Sequence, residues 1–300
     1  TPVVQDSPLK GFDGDAKMTE KILKMQDEEI LFTVYQKLPE NDPACLPVSV
    51  SVEDRLEDCL RFEKAQAEFR PKGQSAYQPV KNWSIIADGQ TVKASGAFAP
   101  EMNGGELRVL IRCSFRKQYD LGGWKSIQSD GGVWITVPNK ASVTVSWGSA
   151  ADQKVTKETN RALLRLREHV IHIVKEIVGE DIVRAHGDPV FTFTVRGTDL
   201  NGTEHAYRET LVFSEENSDA QGKQYLSADI RVPAGIYTVT EEKTLRYALT
   251  EIRDIKGGKQ TGMAAEFDLR DSRDGSAVFV NEKISDEGES HTSFVRNTFG

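Results

Sequence analysis

The sequence has 300 residues, of which 38% are hydrophobic, and carries a formal net charge of −8 at pH 7. This length suggests about two domains with enough apolar residues to build a core in each. Because no basic stripe is present to neutralise phosphates, the acidic balance argues against a nucleic-acid or anionic-membrane partner.

Short strands are predicted along nearly the whole chain, since β-branched and aromatic residues alternate with polar ones. Turn-forming stretches such as PEND, SDGG and DLNG separate these strands. Many short strands without alternating helices predict an all-β fold of two tandem antiparallel sandwiches. The clearest strands in chain order are ILFTVYQKL, VSVSVEDRL, WSIIADG, ELRVLIRCSF, GVWITVPNKASVTVSW, VFTFTVRG, YLSADIRV, GIYTVTEE and SAVFVNE.

One segment in the middle of the chain is ambiguous. The leucines and arginines of KVTKETNRALLRLREHVIHIVKEIVG suit a helix, and the start of the segment could form one. From Leu164 onward, alternating β-branched residues such as Ile171 and Ile173 favour a strand. We expect the domain boundary just before this strand, which gives domains over residues 1–158 and 159–300 with a short connection.

The cysteines indicate neither a disulfide framework nor a redox or metal site. Cys45, Cys59 and Cys113 allow at most one bridge, and no C-x-x-C pair occurs. We therefore interpret them as small buried apolar residues. His169 and His172 lie three apart, on opposite faces of a strand, which does not favour a metal pair. We expect neither a metal nor a cofactor.

Three polar residues in the second half stand where a strand would place apolar ones. They are Lys175 in HIVKEIVG, Glu241 in GIYTVTEE and Asn281 in AVFVNEK. Asn is depleted in strands because its side chain competes for backbone hydrogen bonds. Each residue alone has an ordinary explanation, such as a turn or a solvent-exposed charge. Their occurrence together calls for a common one.

Together these residues resemble the intramolecular isopeptide triad of Gram-positive surface proteins, in pilin domains of the collagen-adhesin B type. The resemblance covers about residues 161–300 and lies in KEIVG, FTFTV, PAGIYTVTE and the closing VFVN, in that order. It implies an Ig-like sandwich with a bond between Lys175 and Asn281, and Glu241 as the proton carrier. Glu242 is the competitor, but alternation places Glu241 on the face of Tyr237.

The residue types fit that chemistry. A buried lysine has a lowered pKa, so that its free amine can attack the Asn carboxamide on a neighbouring strand. A carboxyl kept protonated by apolar surroundings can polarise the amide and pass protons to the departing ammonia. The reaction would occur once per molecule and without a cofactor.

The first half, about residues 1–155, resembles the larger adhesin-type isopeptide domains that use an aspartate. DEEILFTVYQKLP, VSVSVEDRLEDCLRF and WITVPNKASVTV carry this resemblance. It implies Asp54 as the proton carrier, Asn139 as the acceptor and Lys10 of LKGFDG as the nucleophile, with Lys21 and Lys24 as rivals. Asp54 as a helix N-cap and Asn139 as a turn residue are the alternatives.

The resemblance implies a structural stalk or adhesive segment of a cell-wall-anchored surface protein or pilus, not an enzyme with external substrates. We expect an extracellular fragment lacking signal peptide and anchor, without membrane insertion, whose partners are flanking domains or pilin subunits. The alternative is a domain that recognises a host glycan or matrix protein. Its cleft would be lined by tryptophans, of which the chain has four: Trp83, Trp124, Trp134 and Trp147.

Overall fold

The computed structural model describes residues 5–116, 125–127, 133–219, 221–271 and 273–285. Its contacts divide the chain into two compact units. Apart from a short segment before Trp134, residues up to Arg167 belong to the first unit and residues from Glu168 onward to the second. The sequence-based boundary at residues 158/159 stays a prediction. Each unit is described by itself.

The first unit is built from short strands, as alternation predicts. It contains β1 (Leu9–Phe12), β2 (Glu20–Leu23), β3 (Ile30–Lys37), β4 (Ser49–Arg55), β5 (Leu60–Arg70), β6 (Gln78–Pro79), β7 (Ser84–Asp88), β8 (Thr91–Ala97), β9 (Glu106–Phe115), β10 (Lys125–Ile127), β11 (Val133–Asn139), β12 (Ala141–Ser146), β13 (Lys154–Glu158) and the first residues of β14 (Ala162–Val178).

Two five-stranded sheets form the sandwich of the first unit. One has the order β1-β3-β9-β5-β6 and the other β13-β12-β4-β8-β7. Apolar residues at alternate positions of both sheets fill one core, which includes Phe32 and Val109 from the first sheet and Val52 and Val143 from the second. Burial of these side chains, each worth about 1.5–3 kcal/mol, holds the two sheets together.

The second unit is a sandwich of nine strands. It contains the later part of β14, then β15 (Val190–Asp199), β16 (Glu204–Val212), β17 (Lys223–Val232), β18 (Gly235–Glu241), β19 (Tyr247–Lys256), β20 (Gly258–Thr261), β21 (Ala264–Asp268) and β22 (Gly275–Lys283). One sheet has the order β17-β14-β22-β19 and the other β16-β15-β18-β21-β20. Phe193 and Phe279 meet edge to face between them at 5.1 Å.

The first and last strands of the second unit pair directly and in parallel. Residues Ile171 to Ile177 of β14 align with Gly275 to Asn281 of β22, which places Lys175 opposite Phe279. The other pairings within the two sheets of this unit are antiparallel among the described strands. This parallel pair is the framework on which the candidate site of the second unit is built.

The all-β prediction is confirmed, and the helix considered at the start of the ambiguous segment is wrong. Only short 3-10 turns interrupt the strands of the described residues. Residues 154–158 form β13, which pairs with β12, with Val155 opposite Val145. Cross-strand packing outweighs the local helix propensity of the following leucines and arginines, which continue as β14.

The three cysteines are free, and two of them fit the sequence interpretation. Cys59 and Cys113 are buried in the first unit, whereas Cys45 is exposed, contrary to the expectation that all three are buried. Among the described residues, no group of three His, Cys, Asp or Glu side chains is placed to hold a metal ion. No helix in the described ranges is long and apolar enough to cross a membrane.

Candidate crosslink sites

The three polar residues predicted for the second unit meet in its core. Lys175 on β14 and Asn281 on β22 take inward positions of neighbouring strands, in line with Ile173 and Phe279. Glu241 ends β18 in the opposite sheet and follows Val239 on the inward face. Strand alternation therefore brings all three side chains to one point between the sheets.

Their polar atoms are in direct contact. Lys175 Nζ donates to Asn281 Oδ1 at 2.6 Å and to the Phe279 carbonyl at 2.9 Å. Asn281 Nδ2 donates to Glu241 Oε1 at 2.5 Å, and Lys175 Nζ lies 3.3 Å from Glu241 Oε2. Lys175 is 0% exposed and Asn281 1% exposed, so the group is shielded from bulk water.

Burial shifts the two ionisable groups toward their neutral forms. Desolvation lowers the pKa of Lys175 to about 8, although the Glu241 carboxylate partly opposes this shift. Desolvation raises the pKa of Glu241, against the opposing effects of Lys175 and Asn281. Both shifts have the sign expected when water is removed from a charge. The state with a neutral Lys175 amine and a protonated Glu241 carboxyl is therefore populated to a much larger fraction than it would be in water.

The competitor Glu242 lies elsewhere. It points to the exposed face of its sheet, where Arg208 Nη2 pairs with its Oε2 at 3.0 Å. The one-residue step from Glu241 reverses the direction of the side chain, as period-two alternation requires. Glu242 does not approach Lys175 and is a surface ion pair of small energetic value.

In the first unit, Lys10 and Asp54 also meet between two sheets. Lys10 on β1 and Asp54 on β4 are both fully buried, and Lys10 Nζ donates to Asp54 Oδ2. Desolvation lowers the pKa of Lys10, with Asp54 opposing the shift. The Asp54 carboxylate lies in a strand and not at a helix start, so it has no N-cap role.

Asn139 lies next to this pair but makes a different contact. It is the last residue of β11, 3% exposed, and its Nδ2 donates to the Arg55 carbonyl at 3.0 Å. Its Oδ1 and Asp54 Oδ1 are buried acceptors without a hydrogen-bond donor in the described part of the chain. Asn139 also lines an open pocket of about 360 Å³, which Glu53 and Arg161 border. The described residues show no hydrogen bond between Asn139 and Lys10.

The rival lysines lie outside the core. Lys21 on β2 pairs at the surface with Asp13, at 2.6 Å, and Lys24 is exposed. Neither makes a contact with Asp54 in the described residues. Of these three lysines, Lys10 is the one that the structure brings to the carboxyl group.

The tryptophans take different positions. Trp134 is buried, and Trp83 and Trp147 are half-buried against the first core. Trp124 lies outside the described residues.

Two features of these sites escaped sequence reasoning. An aromatic ring lies beside each buried lysine: Lys10 Nζ is 4.4 Å from the Phe32 ring centroid, and Lys175 Nζ is 4.6 Å from that of Phe191. Asn160 contacts the backbone of Lys10. The Phe residues could have been found from their place in strands neighbouring the site, whereas Asn160 carries no local signal.

No protein-family model matches the chain, and no curated protein sequence matches it. Among solved structures it is similar to BcpA, the major pilin subunit of Bacillus cereus, with 14% identity over 93% of this chain and 71% of that one (TM-score 0.48). The group B streptococcus pilus 2b backbone protein is 10% identical over 93% of this chain and 99% of that one (TM-score 0.47). The full-length major pilin SpaD from Corynebacterium diphtheriae is 12% identical over 93% and 65%, respectively (TM-score 0.44). Likeness at this level says nothing about individual residues.

Proposed function

We propose that the chain is a structural segment of an extracellular surface protein or pilus, in which each unit is closed by a Lys–Asn isopeptide bond. The observation that carries this proposal is the buried contact of Lys175 with Asn281 and Glu241. An unreactive core would place apolar side chains at these positions, since buried charges are stabilising only when well paired.

The nucleophile is the neutral amine of Lys175. With a pKa of about 8, a substantial fraction is neutral at physiological pH, compared with well under 1% of a lysine in water. The contact with Asn281 removes the need for a diffusional encounter. Positioning of this kind contributes up to about 7–11 kcal/mol in the best intramolecular reactions.

The acid is Glu241, and the protons balance as follows. The amine of Lys175 attacks Cγ of Asn281, and the carboxyl of Glu241 gives its proton to the developing oxyanion. The carboxylate then takes a proton from the attacking nitrogen and passes it to the departing amide nitrogen. As ammonia leaves and the carbonyl re-forms, the hydroxyl returns its proton to the carboxylate. Glu241 ends in its starting state. One C–N bond forms, one C–N bond breaks, and no oxidant or cofactor is consumed.

The orientation of the Asn281 carboxamide fits the ionised pair. The charged Lys175 donates to its oxygen and the Glu241 carboxylate accepts from its nitrogen. When the proton moves from Lys175 to Glu241, the Glu241 carboxyl becomes a hydrogen-bond donor and the neutral Lys175 amine becomes an acceptor. The opposite amide orientation then serves better, because it puts the amide oxygen against the Glu241 proton, as acid catalysis requires.

The first unit contains the same types of group, but the described residues show no hydrogen bond between Lys10 and Asn139. Lys10 has a lowered pKa and contacts Asp54, and Asp54 and Asn139 each have one buried oxygen without a hydrogen-bond donor among the described residues. The proposed roles are therefore nucleophile for Lys10, proton carrier for Asp54 and acceptor for Asn139.

The bonds suit a protein that must resist pulling and proteolysis outside the cell. A bond between Lys175 and Asn281 joins the first and last strands of the second unit, so these strands cannot separate even if their hydrogen bonds break. Such a bond needs no oxidising environment, which agrees with the free cysteines. The chemistry is a single self-processing event, with flanking domains or pilin subunits as the proposed partners.

Intact mass spectrometry of the purified chain tests the proposal. Each bond expels one ammonia, so the wild type is expected to fall short of its calculated mass by two ammonia molecules. Asn281→Ala and Asn139→Ala should each restore one ammonia, whereas the exposed Asn217→Ala, Lys21→Met and Lys24→Met should restore none. A wild-type mass equal to the calculated value would overturn the proposal for both units.

A further inference from the structure

The backbone of Lys10 is held by a side chain on the edge opposite to its sheet neighbour. On one edge β1 pairs with β3, with Lys10 opposite Val34. On the other edge, Lys10 N donates to Asn160 Oδ1 at 2.8 Å and Asn160 Nδ2 donates to the Lys10 carbonyl at 2.8 Å. The carboxamide of Asn160 thus replaces the peptide group of a second neighbouring strand.

The preceding residue holds the other side of the site. Thr159 N donates to the Ala141 carbonyl at 2.8 Å, and Ala141 N donates to Thr159 Oγ1 at 3.0 Å. Ala141 pairs with Asp54 and follows Asn139 by two residues. Thr159 is buried, so these bonds are protected from competing water.

We propose that the Thr159–Asn160 dipeptide is the positioning element of the first-unit crosslink. It ties β1, which carries the nucleophile, to β12 through four hydrogen bonds. β12 pairs with the strand of Asp54 and begins two residues after Asn139. This inference rests on the proposed first-unit bond. Both residues act through the backbone of others, so they are positioning residues and not catalytic ones.

The need for such an element follows from the sheet order. β1 has four residues, and β3 is its one neighbour among the described strands. A short strand bonded on one edge opens easily, and its side chain then leaves the core. Bonds on both edges of β1, to β3 and to Asn160, keep the amine of Lys10 against Asp54. A displacement of about 1 Å at a reacting group can reduce the rate by about 100-fold.

Asn160 is not itself the acceptor in this arrangement. Both polar atoms of its carboxamide are engaged with the backbone of Lys10, whereas the amine of Lys10 reaches Asp54. A bond from Lys10 Nζ to Asn160 would require this residue to release the very strand it holds. The two asparagines of the site therefore have separate roles.

The test measures the rate of each bond in the same molecule. The whole 300-residue chain is collected unfolded in denaturant and refolded by dilution. Samples are quenched in acid at intervals and digested, so that each crosslinked peptide is counted separately. Asn160→Ala is expected to slow the first-unit bond by about tenfold or more and leave the second-unit bond at the wild-type rate. Thr159→Val should slow it less, and Thr159→Ser should restore it.

Further variants separate positioning from folding. Asn160→Asp keeps the acceptor for Lys10 N but loses the donor to its carbonyl, so an intermediate rate is expected. In a Lys10→Met background, which forms no first-unit bond, the effect of Asn160→Ala on unfolding reports the structural role alone. Asn217→Ala is the matched surface control.

The outcomes distinguish this inference from the proposed function. Wild-type rates of the first-unit bond in both Asn160→Ala and Thr159→Val would overturn the inference and leave the bond standing. A crosslinked peptide that joins Lys10 to Asn160 would also overturn it. If the wild type loses ammonia from the second unit alone, the first-unit bond fails and the positioning role fails with it.

Discussion

The two units place their buried lysine against different groups. In the second unit Lys175 and Asn281, the proposed nucleophile and acceptor, lie on hydrogen-bonded parallel strands, and their side chains are in contact at 2.6 Å. In the first unit the lysine contacts the carboxyl group, and Asn139 bonds to the Arg55 carbonyl. A sheet ladder joins the strands of Lys175 and Asn281, whereas the side chain of Asn160 bonds to the backbone of Lys10. The second-unit bond should therefore form faster than the first-unit bond and be less sensitive to substitutions at the surface.

The largest difference between the two units is expected when the proposed proton carrier of one unit is removed. Glu241→Gln keeps the size of the side chain but cannot exchange protons, so the second-unit bond should form at least about 100-fold more slowly. The first-unit bond should form normally, and Asp54→Asn should give the reverse pattern. Peptide mapping after refolding measures both bonds.

Glu242→Gln is the matched control for that experiment, because Glu242 is exposed and pairs with Arg208. Normal bond formation in Glu241→Gln would show that Glu241 is a structural residue and that the two units do not share a mechanism.

Loss of either bond should lower stability by a similar amount. A bond between Lys175 and Asn281 closes a loop of 106 residues, for which the loop-closure argument gives about 5 kcal/mol. The logarithmic dependence on loop length makes the first-unit bond nearly equivalent. Lys175→Met and Lys10→Met remove each bond without leaving an unpaired buried cation, and denaturant unfolding measures the loss.

Equal stability of Lys175→Met and the wild type would indicate that the bond does not constrain the unfolded chain. Unequal losses in the two lysine variants would show that strand packing around one site compensates for its missing bond.

A smaller effect is expected from pH. Between the raised pKa of Glu241 and the pKa of about 8 of Lys175, the pair holds one proton, and the reactive neutral form has the same proton count as the ion pair. The second-unit rate should be flat in this range. It should fall by about tenfold per pH unit above 8, where the acid is lost, and also at low pH, where the amine is charged.

Refolding time courses across this pH range check the profile. A rate that rises steadily up to the ordinary lysine pKa would exclude Glu241 as the acid. The first-unit profile sharpens the comparison, because the pKa of Lys10 is lowered by the same cause.

Local rules were sufficient for much of the fold, and together with the family resemblance they singled out the residues of the second candidate site. Alternation predicted the strands and put Glu241, not Glu242, on the inward face. Lys175 and Asn281 attracted attention because each interrupts an apolar face, and a mismatch of this kind is visible in the sequence alone. Lys10 could be favoured over Lys21 because LKGFDG repeats the Lys-x-x-x-Gly pattern of KEIVG and lies where the first strand would begin, although spacing left the choice open.

Long-range contacts could not be predicted from local rules. Asn160 meets Lys10 across 150 residues of chain, and an asparagine between two strands looks like any turn residue. The helix considered for the start of the ambiguous segment has the same origin, because the pairing of β13 with β12 decides the structure at residues 154–158. A feature that depends on a tertiary contact can be predicted only when the contacting residue is known.

The parallel pairing of β14 and β22 has a mechanical consequence. Because β14 and β22 run in the same direction, the chain enters the second unit at one end of this strand pair and leaves at the other. A pulling force on the chain therefore acts along the two strands. With the bond in place, the load path from Glu168 runs along β14 to Lys175 and crosses to Asn281, a taut length of about 25 Å at roughly 3.3 Å per residue. The chain from residue 176 to residue 280 stays slack. Such a unit would behave as a nearly inextensible link, which a pulling experiment would see as a missing unfolding event.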